Sequence, residues 1–179
     1  RLASLRLFFC GGTTVSPELI KRAAAMVPQA LFYRAYGSTE CLTATLGHTD
    51  RADAHFGAET DGRIVYPVEM RITDGVSSAE LAEGAEGEIY LLSPGLFVGY
   101  LDPADNQGNF EPDGFFKMGD LGKRVPGGSG GDYLVITGRS KDIIIRSGEN
   151  ISPKEVEDAL YLHPAVADLA IVAMPSAKT

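Results

Sequence analysis

Histidine and cysteine are scarce in this chain, and positive charge is outweighed. Its 3 histidines, His48, His55 and His163, stand far apart and form no metal-ligand pattern. Its 2 cysteines, Cys10 and Cys41, are too few for a disulfide framework or a zinc site. Cys10 closes an apolar run and reads as a buried thiol, and the cytoplasm is the expected compartment. With 16 Lys and Arg against 24 Asp and Glu, the net charge is −8, which argues against nucleic acid or an anionic membrane as partner. No run of about 18 apolar residues occurs, so no transmembrane segment is expected. No Ser–His–Asp order, Walker glycine loop or CxxC pair appears either. The start, RLASLRLFFCGG, has no signal-peptide pattern and no initiator Met, and begins as though inside a strand. A piece cut from a longer chain is the expectation.

Apolar residues make up 44% of the 179, enough to build a core for one domain and part of a second. The 21 glycines and 10 prolines make the chain dense in turns, which fits short strands better than long helices. Leu5 to Cys10 predicts a buried strand that leaves through Gly11–Gly12. Ser16 predicts a helix N-cap, with Pro17 at the first helical position and Leu19, Ile20, Ala23, Met26 and Val27 at helical spacing. Pro28 stops that helix, and Leu31 to Ala35 predicts a second strand. Strand, helix, strand is a piece of parallel α/β sheet, in which ligands gather where strand ends meet the following turns. Those turns are GGTT (11–14) and YGSTE (36–40).

From Asp53 onward the texture changes to short β-type runs: 62–63, 69–73, 87–92 and 96–100. They predict an antiparallel sheet or a distorted barrel. Residues 75–84 predict a polar connection, 102–113 a surface loop, and GGSGG (127–131) a loose hairpin tip. A strand at 133–136 leads into TGRSKDIIIRSGEN (137–150), about which the chain is organised. There Gly138 predicts a chain reversal, Ile143 to Ile145 a strand covered on both faces, and Ser147–Gly148 a break. Arg139, Lys141 and Asp142 set three charges beside the turn, as either a solvated hairpin or a ligand-facing hinge. Ser152, Pro153 and Glu155 predict a capping box opening a helix that ends at His163–Pro164, and 167–173 predicts a further strand. The expected divisions are 1–52 (α/β), 53–138 (β-rich) and 139–179 (hinge and start of a small, incomplete α+β unit).

Two motifs suit chemistry. In YGSTE, Glu40 offers Mg²⁺ a hard carboxylate, Thr39 suits a phosphate oxygen and Tyr36 a planar ring. The alternative is a glycine turn into a capped helix. Behind Gly119, Asp120 suits a grip on two ribose hydroxyls, or else an Asx turn. Arg139 suits the same sugar or a phosphate, or else a surface ion pair with Asp142.

Six segments taken in order are more specific than either motif. GGTT at Gly11, YGSTE at Tyr36, GEIYLLSPGLFVGY at Gly87, DGFFKMGDLG at Asp113, DYLVITGRSKDIIIRSGENISPKEVE at Asp132 and HPAVADLAIVAMP at His163 span nearly the whole chain. Together they resemble the adenylate-forming (AMP-binding) enzymes, which include acyl-CoA synthetases, aryl-CoA ligases, luciferases and the adenylation domains of peptide synthetases. GRSKDIIIRSGENISPKEVE is most similar to acyl-CoA synthetases that act on fatty, alicyclic or aromatic acids. The resemblance implies a fragment of that fold: the end of a parallel α/β subdomain, a distorted antiparallel β-barrel subdomain, and the start of a C-terminal lid.

It also implies an ATP-, Mg²⁺- and coenzyme A-dependent ligase that makes acyl-AMP from a carboxylic acid, then the thioester. By the resemblance, Gly11, Gly12 and Tyr36 line the adenine pocket, with Gly37 in the same nucleotide site. Thr39 contacts phosphate, Glu40 binds Mg²⁺, Asp120 grips the ribose, and Arg139 supports the nucleotide. Lys141 falls on the lid hinge, and Ser147, Gly148 and Glu149 on the coenzyme A path. Met118 stands where the family usually has Thr, and Ser147 where it usually has Gly. The family's phosphate loop falls before Arg1 and its catalytic lysine after Thr179, and Lys178 does not match that lysine's context. This segment alone is therefore expected to bind nucleotide weakly and not to complete adenylation. A peptide-synthetase-type adenylation domain and a non-catalytic scaffold are the rival readings. Oligomeric state stays open, a homodimer included.

Overall fold

The computed structural model describes residues 2–77, 79–127 and 131–174. Strand β1 (Leu7–Cys10) runs parallel to β2 (Leu31–Arg34), in register from Leu7↔Leu31 to Cys10↔Arg34. Between them lies α1 (Pro17–Met26), whose N-cap Ser16 Oγ accepts the Leu19 N–H at 3.3 Å. Pro17 has no N–H to leave orphaned in that first turn, and Pro28 cannot extend the helix beyond Val27. The helix turns Ile20, Ala23 and Ala24 onto Phe32 and Ala58, and burying Ile20 contributes roughly 1.5–3 kcal/mol. All 4 residues of β2 are buried.

The larger unit is a six-stranded antiparallel sheet. It comprises β3 (Thr45–Leu46), β4 (Arg63–Ile64), β5 (Glu69–Thr73), β6 (Gly87–Leu92), β7 (Phe116–Pro126) and β8 (Asp132–Arg139). Its order is β3-β4-β8-β7-β6-β5, so the expected antiparallel sheet is open and does not close on itself. Alternate residues Met70 and Ile72 of β5 point inward with Ile89, Leu91 and Leu134. A short helix α2 (Phe56–Glu59) packs on β2.

Asp53 ties the two units together. It lies in a 3-10 turn (Arg51–Asp53), 2% exposed. Its carbonyl accepts from Tyr33 Oη at 3.2 Å and its carboxylate from Tyr133 Oη at 3.0 Å. Tyr33 belongs to β2 and Tyr133 to β8, and Phe56 stacks on Tyr133 with ring centroids 4.3 Å apart.

Several expectations are corrected beyond β8. Gly138 is not a turn: it sits inside β8, where a Cβ would come within 2.9 Å of Ser152 Oγ. The chain reverses over residues 140–142 instead, with the Asp142 N–H donating to the Arg139 carbonyl at 3.1 Å. The isoleucine run is no buried strand but one arm of an exposed hairpin, β9 (Ile144–Arg146) with β10 (Glu149–Ile151), and Ile145 is 73% exposed. Ser147 (φ 53°) and Gly148 (φ 85°) form its two-residue turn, positive at both positions as the strand twist requires. The capping box before α3 (Pro153–Leu160) does not form. Ser152 Oγ donates instead to the Thr137 carbonyl at 2.6 Å, pinning the helix start to β8. Residues 96–100 and 167–173 form no strand; the first makes only a single bridge, Leu96↔Cys41. Of GGSGG, Gly127 donates to the Gly131 carbonyl; positions 128–130, like Lys178, lie outside the described residues.

Candidate functional site

The end of β2, the loop after it, the ends of β7 and β8, and one face of α3 enclose a cleft of about 770 Å³. Gly11 and Gly37 explain why the loops can meet there. A Cβ on Gly11 would come within 2.3 Å of the Ala35 carbonyl, and one on Gly37 within 2.3 Å of the Leu42 carbonyl. Gly12, at φ +82°, has open space where a Cβ would stand and lines the cleft. Of the other predicted residues, Tyr36, Gly37, Asp120, Arg139 and Lys141 line it; Gly11, Thr39, Glu40, Ser147, Gly148 and Glu149 do not. Lys141 is exposed in the 140–142 turn, and the last three sit on the exposed β9–β10 tip.

Asp120 is the centre of the arrangement. It is not in an Asx turn but in β7, directly opposite Arg139 of β8. Its Oδ1 accepts from Arg139 Nε at 2.9 Å and its Oδ2 from Tyr36 Oη at 2.5 Å. Arg139 is thus paired with Asp120 rather than held in a surface bridge to Asp142. The strands slip register between Leu121 and Gly122, and just before the slip the Ser140 N–H and Oγ both donate to the Gly119 carbonyl. Burial, followed by the Asp120 charge and hydrogen bond, pushes the Tyr36 phenol far above its ordinary range, so it remains a donor. The bond to Asp120 raises Arg139 further still. Met118 turns onto the sheet core rather than into the cleft.

YGSTE does not start a helix. Ser38 Oγ accepts the N–H groups of Glu40 (3.1 Å) and Cys41 (3.3 Å), and the Tyr36 N–H donates to Thr45 Oγ1 at 2.8 Å. Glu40 lies beside the cleft with Oε1 accepting from Tyr100 Oη at 2.7 Å. That bond, with Ser38 second, holds its carboxyl below the ordinary glutamate value; Arg139's charge acts the same way. Among the described residues no group of three or more His, Cys, Asp or Glu is placed to hold a metal alone. A single hard carboxylate instead suits Mg²⁺, which keeps water and phosphate as its other ligands.

The residue reading missed a second ion pair in the same cleft. Arg34 Nη1 lies 3.3 Å from Asp61 Oδ1, and the two side chains are only 5% and 14% exposed. Arg34 also donates to the carbonyls of Thr60 (2.9 Å), Ala58 (3.2 Å) and Val15 (3.3 Å). Asp61 Oδ2 accepts the Ile136 N–H at 2.8 Å, yet desolvation still pushes its carboxyl up, with Arg34 opposing. The available signal was an arginine inside the fully buried strand LFYR, which demands a buried partner.

Comparison with known proteins supplies the family. Residues 1–101 match the family described as AMP-binding enzyme. The chain belongs to that family. It is 37% identical over 174 residues to the medium-chain fatty-acid–CoA ligase of Escherichia coli, covering 97% of this chain and 29% of that protein. It is 38% identical over 167 residues to triostin synthetase I of Streptomyces triostinicus, covering 92% of this chain and 30% of that one. The crystal structure of ATP-bound MatB from Rhodopseudomonas palustris superposes with a TM-score of 0.80 at 30% identity, over 96% of this chain and 33% of that one. The chain thus spans about a third or less of the relatives it matches. No helix among the described residues is long and apolar enough to cross a membrane.

Proposed function

We propose that the chain carries the ribose- and phosphate-facing part of an ATP-dependent acyl-CoA synthetase, a carboxylic acid:CoA ligase for a fatty, alicyclic or aromatic acid. The observation that carries this reading is Asp120, buried yet lining the cleft and held at both oxygens by Tyr36 and Arg139. Each carboxylate oxygen has a second acceptor site, so both remain able to accept the two vicinal hydroxyls of a ribose. Tyr36 and Arg139 fix the carboxylate's plane before the sugar arrives, which removes an ordering cost from binding. Gly12 leaves room for the nucleoside to approach the backbone.

In the reaction, the acid's carboxylate attacks the α-phosphorus of ATP and pyrophosphate leaves; the coenzyme A thiol then displaces AMP. Arg139, 66% exposed and with only Nε engaged by Asp120, keeps the rest of its guanidinium for charge that develops near the phosphate. Thr39 would donate to a phosphate oxygen, and Glu40 would hold Mg²⁺. When bound, the ion would supply neutralisation of charge on the phosphates. Lys141 lies at the hinge of a mobile lid, and the 147–149 tip approaches the thioester site once that lid has turned.

Calorimetric titration with AMP and Mg²⁺ tests the reading on the wild type and Asp120→Asn. A loss of at least about tenfold in affinity supports it, since one good charged hydrogen bond is worth that much. Equal binding by both overturns it. The likeness to triostin synthetase I favours one second reading, an adenylation domain that passes its acyl group to another thiol. Turnover that requires coenzyme A decides for the first.

A further inference from the structure

Tyr100 is a residue to which none of the sequence motifs assigned work, and it touches Glu40 from sixty positions away. Three contacts join its segment to the metal-side loop. Leu96 bridges Cys41, the Phe97 N–H donates to the Glu40 carbonyl at 2.7 Å, and Tyr100 Oη donates to Glu40 Oε1 at 2.7 Å. Tyr100 is itself held. Its N–H donates to Asn106 Oδ1 at 2.7 Å, and its carbonyl accepts from Asn106 Nδ2 at 3.2 Å. A Cβ on the preceding Gly99 would come within 3.0 Å of that Oδ1, at a φ of +134°. The ring sits edge-on to Phe97 with centroids 4.8 Å apart, and Phe97 in turn packs on Phe110 and Phe116.

We infer that Tyr100 is a positioning residue for Glu40: it occupies Oε1 and, together with Ser38, fixes the side-chain rotamer in which the carboxylate would meet a divalent cation. This rests on the proposed role of Glu40. Groups that orient a ligating carboxylate typically change metal affinity or activity by tenfold or more when removed. The aromatic packing explains why the tyrosine stays in place, but it does not require the hydroxyl.

The test uses the full-length protein and Tyr100→Phe, which keeps the ring and its packing, with Glu40→Gln and the double variant beside it. Carboxyl NMR without metal should show the Glu40 titration moving up toward an ordinary glutamate in Tyr100→Phe. Mn²⁺ titration in the presence of ATP should show roughly tenfold weaker binding, and no further loss when the substitution is added to Glu40→Gln. Unchanged Mn²⁺ affinity in Tyr100→Phe, whether or not the titration moves, overturns the positioning role. If Glu40→Gln also leaves Mn²⁺ affinity unchanged, the proposed role of Glu40 fails with it. Loss in Glu40→Gln alone leaves that role standing and removes only Tyr100.

Discussion

Two arginine–aspartate pairs line one cleft and differ in how far each arginine is buried. Arg34 spends its guanidinium on three backbone carbonyls and Asp61, and both side chains are buried. Among the described residues Arg139 engages Asp120 alone, through Nε, and stays 66% exposed while its partner is 8% exposed. A buried cation with four of its five N–H groups engaged has little left for a ligand and serves the join between β2, α2 and the sheet. A half-engaged, open one has donors to offer. Both arginines line the cleft, so proximity does not separate them; burial and the donors left open do.

Unfolding measurements break or sharpen that contrast most strongly. Arg34→Met should cost roughly 3–5 kcal/mol in denaturant titration at neutral pH, because it leaves the buried Asp61 carboxyl without its cation. Arg139→Ala should cost no more than about 1 kcal/mol, since its pair is screened on the arginine side, while nucleotide affinity falls. Equal destabilisation by the two would erase the distinction.

A second, smaller effect is in pH. The Asp61 carboxyl titrates above its unfolded value because burial penalises its charge. Its contribution to stability is thus fully present below the unfolded value and lost as pH rises through the folded one. Without Arg34 the folded value rises further, so the deficit of Arg34→Met should shrink as the solution is acidified. Glu40 has the opposite sign. Held below the ordinary value by Tyr100, it contributes stability above the unfolded value that is lost as pH falls through the folded one. Unfolding midpoints followed from neutral to acid pH check both signs.

The smallest change expected is at the β9–β10 tip. Ser147 sits at φ 53°, where a side chain is strained and glycine is not, so Ser147→Gly should stabilise the hairpin by about 0.5–1 kcal/mol. Amide exchange of residues 144–151 would register it. No slowing would mean that the serine's strain is relieved by its surroundings.

Local rules carried much of the fold. Ser16–Pro17 and Pro28 bound α1, and the β-type run at 69–73 is β5, because capping and strand propensity act within a few residues. Local rules failed where a distant partner intervened. Ser152 looked like a cap but its hydroxyl is claimed by Thr137, and 96–100 looked like a strand but is tied to Glu40 and Cys41. The isoleucines suggested a covered strand, whereas hydrophobicity alone cannot say whether a second sheet lies above it.

For the site, the sequence alone determined the residue types and their order. GGTT, YGSTE, KMGD and GRSK supply glycine where backbones approach closely, and the carboxylate and cation that pair at the cleft. The family follows from that order, since six ordered segments rarely recur by chance. Tertiary structure alone decided the partnerships. Tyr36 with Asp120, Arg34 with Asp61 and Tyr100 with Glu40 are separated by 84, 27 and 60 positions in the chain, the first and last joined by hydrogen bonds and the middle one by an ion pair. Which side chain meets which is settled by strand register and sheet order, and these depend on burial summed over the whole chain rather than on any one segment.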